Sequence, residues 1–434
     1  MMQSAAVPVE NDDLLSSILS AATEEFVAQG YRDASIDRIV AAAHVSKTTF
    51  YSHFRNKREV LGAALDRVEE RLNDRFPSPR ESSDIEDTLI RYAQWIRRVA
   101  SSPEYIALYR VSVELAREEP EFAQSIHERV RDRRGVFWRY LETLRHSGIR
   151  IAYDSAALQA QFGFLSIGGL TTIIQGADLG AMDERRWTKS VATLFMNGYR
   201  REQADADAPA ILPPARRPVP SPESSEELYA RLRSSGMRLS RDQFDALLDI
   251  SAERFLEKGY RDTALPDISA RTGVSRMTLR RQFNGKAELF VAAIRHYAYN
   301  LYSRTEPLPT ADSIDAALPL IAAHLRRRFR RPDNSRLLRL MVSQSVAFPQ
   351  LAAAVYAGSR EDDLTKLRAQ FAEWMARGEL GTAYAEMAAH HFHTLAINGN
   401  AALFRGEAAQ TDASPEQVSV LFLDGCMPGF RSEP

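Results

Sequence analysis

Cysteine is almost missing from this chain. Cys426 is the one thiol in 434 residues, so no internal disulfide is possible and a cysteine-based zinc site is not expected. No apolar run reaches the roughly 18 residues that a membrane span needs, so no membrane partner is expected. The first residues, MMQSAAVPVENDD, are polar and acidic. They lack the basic start and apolar stretch of a secretory signal, and the chain is expected in the cytoplasm. No stretch shows convincing alternation with a period of two, so no sheet is expected. A glycine-rich phosphate loop, a nucleophile elbow and an HExxH pair are all absent. That disfavours an enzyme, and no cofactor or metal is expected. Strong net charge is missing too: 56 Lys and Arg against 57 Asp and Glu leave −1, which on its face argues against nucleic acid.

Local charge departs from that average. Within 31–60, Arg32, Arg38, Lys47, Arg55, Lys57 and Arg58 stand against only Asp33, Asp37 and Glu59, and local concentration of basic residues is what nucleic-acid binding requires. The 44% hydrophobic and 26% charged content is that of a soluble globular protein. The length suits two or more domains.

An internal repeat organises the chain. Shifted by 229 residues, EEFVAQGYRDASIDRIVAAAHVSKTTFYSHFRNKREVL from Glu24 falls without a gap on ERFLEKGYRDTALPDISARTGVSRMTLRRQFNGKAELF from Glu253. The register continues: Pro103 meets Pro332, Arg110 meets Arg339 and Pro120 meets Pro349. LFMNG at Leu194 resembles LFLDG at Leu421 with the offset changed by two. The whole unit is therefore duplicated. Between the copies, Pro209, Pro213, Pro214, Pro218, Pro220 and Pro222 predict an extended, semi-rigid linker over 203–225, and residues 1–10 are expected to be disordered.

Each copy reads as helical. Leu15, Ile18, Leu19, Ala22 and Phe26 form one helical face, repeated by Phe244, Leu247, Leu248, Ser251 and Phe255. Gly30 and Gly259 stand where that helix should stop. A short helix from Ser35, its cap, to Ala42 follows, with Ile36, Ile39 and Val40 inward. Then comes a tight turn, AAHVS or RTGVS, in which His44 and Gly273 tolerate positive φ. Ser46 and Ser275 cap the next helix, which Phe50 and Phe54, or Leu279 and Phe283, pin to the core. Two short helices, a tight turn and an exposed second helix make a DNA-binding helix-turn-helix.

The stretch GYRDASIDRIVAAAHVSKTTFYSHFRNKREVL resembles the DNA-binding domain of TetR/AcrR-type bacterial regulators, over about 50 residues per copy. The resemblance implies an all-α protein of two tandem units: a helix-turn-helix domain at 11–75 and a helical ligand-binding and dimerisation half at 80–202, then a second pair at 240–300 and 310–431. It also implies double-stranded operator DNA as partner, a small apolar effector, and pairing of the helical halves. That pairing makes either an intrachain pseudo-dimer or a homodimer of chains.

A recognition helix needs donors facing the major groove and short residues that admit the backbone. In copy one these are Ser46, Lys47, Thr48, Thr49, Tyr51 and His53, with Ser35 at the preceding cap. Lys57, at the start of the following helix, is suited to a phosphate. In copy two the matching set is Ser275, Arg276, Met277, Thr278, Arg280, Arg281, Gln282 and Lys286. Copy two departs from the family pattern where Arg280 replaces the aromatic Tyr51, and Gly285 replaces the capping Asn56.

Other constellations read more plainly. His390 and His393 share a helical face, but no carboxylate or thiol completes a zinc set, and core or pocket-lining roles fit better. RRRFRRP (326–332) reads as a solvated helix end, with a phosphate contact as the alternative. Trp95, Tyr109 and Trp138 are candidates to line an effector pocket, against a plain core role. QFGFLSIGGLTTIIQG (161–176) reads as one apolar helix packed against a partner helix. Three function classes remain: a ligand-responsive transcription regulator, probed by salt-dependent promoter binding; an interaction protein whose helix-turn-helices are structural; and an enzyme with a hidden site. The basic recognition helices favour the first.

Overall fold

A computed structural model of the chain describes residues 9–116, 119–132, 135–151, 153–175, 184–200, 224–304, 306–381, 385–397, 403 and 413–427. The expected linker, up to residue 223, and residues 1–8 lie outside the described residues. Among those described the chain is all helix, with one isolated bridge, Arg200 to Leu380. No helix is long and apolar enough to cross a membrane.

The first unit runs α1 (Val9–Asp33), α2 (Ile36–Ala42), α3 (Lys47–His53), α4 (Lys57–Arg75), α5 (Ile85–Ala100), α6 (Pro103–Leu115), α7 (Pro120–Asp132), α8 (Gly135–His146), α9 (Ser155–Ser166), α10 (Thr171–Gln175) and α11 (Glu184–Asn197). The second runs α12 (Ser225–Ser234), α13 (Arg241–Asp262), α14 (Leu265–Thr272), α15 (Arg276–Phe283), α16 (Lys286–Tyr302), α17 (Ile314–Phe329), α18 (Pro332–Gln344), α19 (Pro349–Arg377), α20 (Ala385–Ile397) and α21 (Pro415–Asp424). In the 229-residue register α5 falls on α17 and α6 on α18, end for end. Asp84 and Ser313 cap the first pair, and Pro103 and Pro332 open the second, where a missing N–H costs nothing. Two differences stand out. Where the first unit has α7 and α8, the second has the single helix α19. Helix α12 stands ahead of the repeated set, started by a reciprocal Ser224–Glu227 capping box that the sequence reading missed.

The repeated helical faces are buried as their spacing requires: Ile18, Ala22 and Phe26 in one unit, Phe244, Leu248 and Phe255 in the other. Gly30 (φ 75°) and Gly259 (φ 83°) break their helices at the same place. The 161–176 segment is not one helix. Gly168 and Gly169 adopt φ 68° and 71° and divide α9 from α10, because two successive left-handed residues cannot continue a right-handed helix.

Like elements meet across the two units: α6 packs on α18, α9 on α20 and α11 on α21. That is the pattern of a pseudo-two-fold interface. Its tightest point lies where the LFMNG and LFLDG segments cross. Tyr199 N donates to Phe422 O at 2.9 Å, Arg200 N to Leu423 O at 2.8 Å and Cys426 N to Phe195 O at 2.7 Å. A Cβ on Gly198 would overlap the Leu423 carbonyl, and one on Gly425 would overlap that of Met196, so glycine is required at both. The Arg200 guanidinium closes the crossing on Asp424 and on Asp315, 2.8 Å away.

Candidate nucleic-acid interface

Each recognition helix begins on a serine that spends its hydroxyl on the cap. Ser46 Oγ accepts from Thr49 N at 3.0 Å, and Ser275 Oγ accepts from Thr278 N at 3.1 Å. The turn before each is left-handed, at His44 (φ 56°) and Gly273 (φ 69°). Ser35 caps α2 by accepting from Asp37 N. In copy two Ala264 supplies no side-chain cap and Pro266 opens α14 instead. Phe50 and Phe54, and Leu279 and Phe283, are buried under the recognition helices, which fixes the opposite face outward.

On that outward face copy one presents Lys47, Thr48 and Tyr51, all exposed, with Thr49 and His53 half-buried. Lys47 reaches Asp37 at 2.8 Å, an exposed pair that a phosphate can outcompete. Copy two presents Arg276, Met277, Arg280 and Arg281, and Met277 is 80% exposed. An apolar side chain held that far into solvent suits contact with a thymine methyl. Gln282 differs from expectation: it is buried, because the last turn of α15 rolls it away from the outward face.

Lys57 and Lys286 are turned onto their own heads. Lys57 Nζ donates to the carbonyls of Arg32 at 3.1 Å and Ala34 at 3.2 Å and sits over the Tyr31 ring. Lys286 Nζ donates to Arg261 O at 3.1 Å over the Tyr260 ring. Both lysines thus close the loop after each GYRD segment. As expected, Asn56 caps α4 through Glu59 N, whereas Gly285, at φ 124°, gives α16 no side-chain cap.

One ion pair is inverted between the heads. Glu25 receives Arg38 Nε at 2.7 Å in copy one; Arg254 donates to Asp267 at 2.9 Å at the same positions of copy two. Hydrogen bonding to Arg254 holds the Asp267 carboxyl below its ordinary range.

The remaining candidates settle elsewhere. Trp138 is 42% exposed, which removes it from any interior pocket, while Trp95 is buried with Nε1 on the Phe76 carbonyl. Tyr109 is buried in α6. Phe137 stacks on Phe162 at 4.2 Å and meets Tyr92 edge-on at 5.2 Å, filling the middle of the first helical half. In the second half a cavity of about 30 Å³ is lined by Arg328, Asp363, His393, Tyr302 and Asn334. That is room for about one water, far below the roughly 300 Å³ of small-molecule pockets. RRRFRRP is not a solvated end: Arg326 Nε donates to Ala396 O at 3.0 Å, Arg328 pairs with Asp363, and Arg331 with Glu306. Neighbouring carboxylates on α19 and the α16–α17 connection capture these arginines. His390, His391 and His393 are buried and take three separate partners: Glu386, Tyr199 and Asp363.

Residues 18–64 and 247–293 each match the family described as bacterial regulatory proteins, tetR family. Residues 316–420 match the AefR-like transcriptional repressor C-terminal domain. Among curated relatives, the HTH-type transcriptional activator FasR of Mycolicibacterium smegmatis is 31% identical over 123 residues, 28% of this chain and 55% of that protein. The DNA-binding transcriptional repressor TetR of Mycobacteroides abscessus is 39% identical over 59 residues, 14% of this chain and 31% of that protein. The chain thus spans about a third to a half of the length of these relatives. A solved bacterial regulatory protein of the tetR family from Rhodococcus RHA1 aligns at TM-score 0.33 and 20% identity, over 41% of this chain and 95% of that one.

Proposed function

We propose that this chain, which belongs to the tetR family of bacterial regulatory proteins, is a transcription regulator that grips one operator with two unlike reading heads carried on a single polypeptide. The observation that carries this reading is the pair of outward faces on one pseudo-two-fold body. Lys47, Thr48 and Tyr51 stand on one; Arg276, Met277, Arg280 and Arg281 stand on the other. Identical heads read mirror-image half-sites, one helical turn or about 34 Å apart. Unlike heads read unlike half-sites. Arginine pairs bidentately with guanine, so the second half-site is the more G-rich.

Repression is the direction we propose, since the second helical half matches a repressor C-terminal domain. The pairing of α6, α9 and α11 with α18, α20 and α21 supports an intrachain pseudo-dimer. An apolar effector in the second helical half has no support from its small polar cavity and is not part of the proposal.

Sequence selection from random DNA, with the bound complex weighed by light scattering, tests this reading. The expected result is an asymmetric site held by one chain of 48.8 kDa. A perfect palindrome held by two chains would replace it with a homodimer that uses only copy-one heads. Absence of salt-dependent binding to any sequence would favour the reading in which the helix-turn-helices are structural.

A further inference from the structure

His296, in α16 behind the second reading head, is 5% exposed. Its Nε2 lies 3.0 Å from Asn300 Nδ2 and 3.3 Å from the Asp249 carboxylate. Its Nδ1 has no hydrogen-bond partner among the described residues. A buried ring nitrogen is costly in that state unless something meets it.

The same histidine lines a cavity of about 290 Å³, at the lower end of the roughly 300–1,000 Å³ of small-molecule sites. Helix α16 adds Val291 to the walls, α12 adds Leu228, and the last turn of recognition helix α15 adds Gln282 and Phe283. Phe348, just ahead of α19, closes the cavity from the helical half, its ring 4.7 Å from Phe290. Gln282 is a second polar group on these apolar walls. It is 9% exposed, and its amide makes no hydrogen bond among the described residues. The charged residues at the cavity are already engaged within the protein. Glu288 receives Asn284 Nδ2 at 3.3 Å, and Arg231 and Arg295 both have partners. The site therefore offers a ligand hydrogen bonds rather than a counter-charge. In the first unit the register positions of Gln282 and His296 hold His53 and Arg67, and Arg67 is spent on Ser16 Oγ at 2.7 Å. The pair belongs to the second unit alone.

We propose that this cavity binds a small neutral molecule carrying a hydroxyl on an apolar body, such as a phenol, and that the bound molecule changes DNA binding by the second head. If His296 Nε2 donates to Asp249, Nδ1 is an acceptor; if Nε2 accepts from Asn300, Nδ1 is a donor. A hydroxyl both donates and accepts, so it satisfies either tautomer, and the Gln282 amide can take its remaining bond. A water at Nδ1 would leave the apolar walls wet, whereas a ring removes Leu228, Phe283, Val291 and Phe348 from water together. Because the ligand touches the last turn of the recognition helix, its affinity depends on how that helix sits, and by linkage DNA and ligand each change the other's binding. The regulatory part rests on the DNA-reading function proposed above; the binding site does not.

The test titrates phenol into the full chain by calorimetry, with toluene, which has the ring without the hydroxyl, and anionic benzoate as controls. The chains compared are wild type, His296→Phe, Gln282→Met and Val291→Trp, each checked for helix content and melting. Saturable phenol binding is expected in the wild type, with toluene and benzoate about tenfold or more weaker, since neither meets Nδ1 without leaving another group unpaired. His296→Phe should abolish the preference for phenol over toluene, and Val291→Trp should abolish binding of both. Gln282→Met nearly keeps the shape of the side chain, so it carries the test if His296→Phe fails to fold; it should weaken phenol by about threefold or more. No saturable phenol binding up to about 10 mM, weaker than any useful small-ligand site, overturns the site. So does toluene or benzoate binding as tightly as phenol, and so does an undiminished preference for phenol in every folded variant. On DNA selected by the wild type, phenol should shift affinity by about fivefold or more, and His296→Phe should lose the response. Phenol binding with unchanged DNA affinity overturns the regulatory part. Phenol binding by a chain that binds no DNA overturns the proposed function and leaves the site standing.

Discussion

Arg32, in the first GYRD segment, donates to the carbonyl of Lys258 at 3.4 Å and lies 3.5 Å from Asp262, in the second. The two reading heads thus touch through the same repeated segment, and Arg261 answers by reaching Gln29 at 3.4 Å. Close packing of the loops helps: a Cβ on Gly259 would lie 3.6 Å from the Arg32 guanidinium.

The contact sets the separation of the heads more than their stability. Its groups are partly exposed, and such pairs contribute at most about 1 kcal/mol. Arg32→Ala is therefore expected to leave the melting temperature nearly unchanged while relaxing the preferred half-site spacing. Affinities across operators with one to three base pairs inserted or removed check this. An unchanged spacing profile would show that the helical halves alone set the distance.

Base reading should divide by head. Arg280→Ala is expected to cost about 1–3 kcal/mol of operator affinity at one position of the second half-site and nothing at the first. Tyr51→Ala should do the converse. Competition with single-base operator variants decides it, and equal losses at both half-sites would contradict asymmetric reading.

The crossing of the two units makes Gly198 demanding. It combines φ 67° with a backbone contact that admits no Cβ. Gly198→Ala is expected to destabilise the chain by at least about 2 kcal/mol, from the left-handed backbone and the forced separation together. Gly148, at φ 91° with open space around it, is the control, and Gly148→Ala should cost only the backbone part, about 1–2 kcal/mol. Urea unfolding measures both; similar losses would mean that the crossing yields easily.

His391, buried between the units, stacks edge-on against Trp187 and contacts Tyr199 through Nδ1 at 2.7 Å. Burial pushes its pKa down to about 3 from 6.5. Between those values the unfolded chain binds a proton that the native chain refuses. Stability is then complete above pH 6.5 and falls on acidification by up to about 1.4 kcal/mol per pH unit for this group. His393, lowered by burial as well, adds a slope of the same sign. His391→Asn should remove one proton's worth of the slope in urea midpoints between pH 7.5 and 5. Equal slopes in the two proteins would show that His391 is protonated while folded.

Helix periodicity, capping serines and the 229-residue repeat are local properties, which is why α1 to α4 and α13 to α16 were legible residue by residue. Ser46, Ser275, His44 and Gly273 act through bonds within a few residues of themselves. The outward set Lys47, Thr48, Tyr51, Arg276 and Arg280 followed from knowing which face Phe50 and Leu279 bury. Where partners are distant in sequence, the reading failed or fell silent. The capture of Arg328 by Asp363 and the inward fold of Lys57 and Lys286 each depend on a group brought near only by packing. So does the contact of Arg32 with Lys258, 226 residues away. The repeat by itself determined that two helix-turn-helix units exist and carry different outward residues. Only the tertiary structure decided that they touch, because register says which residues correspond and nothing about which of them meet.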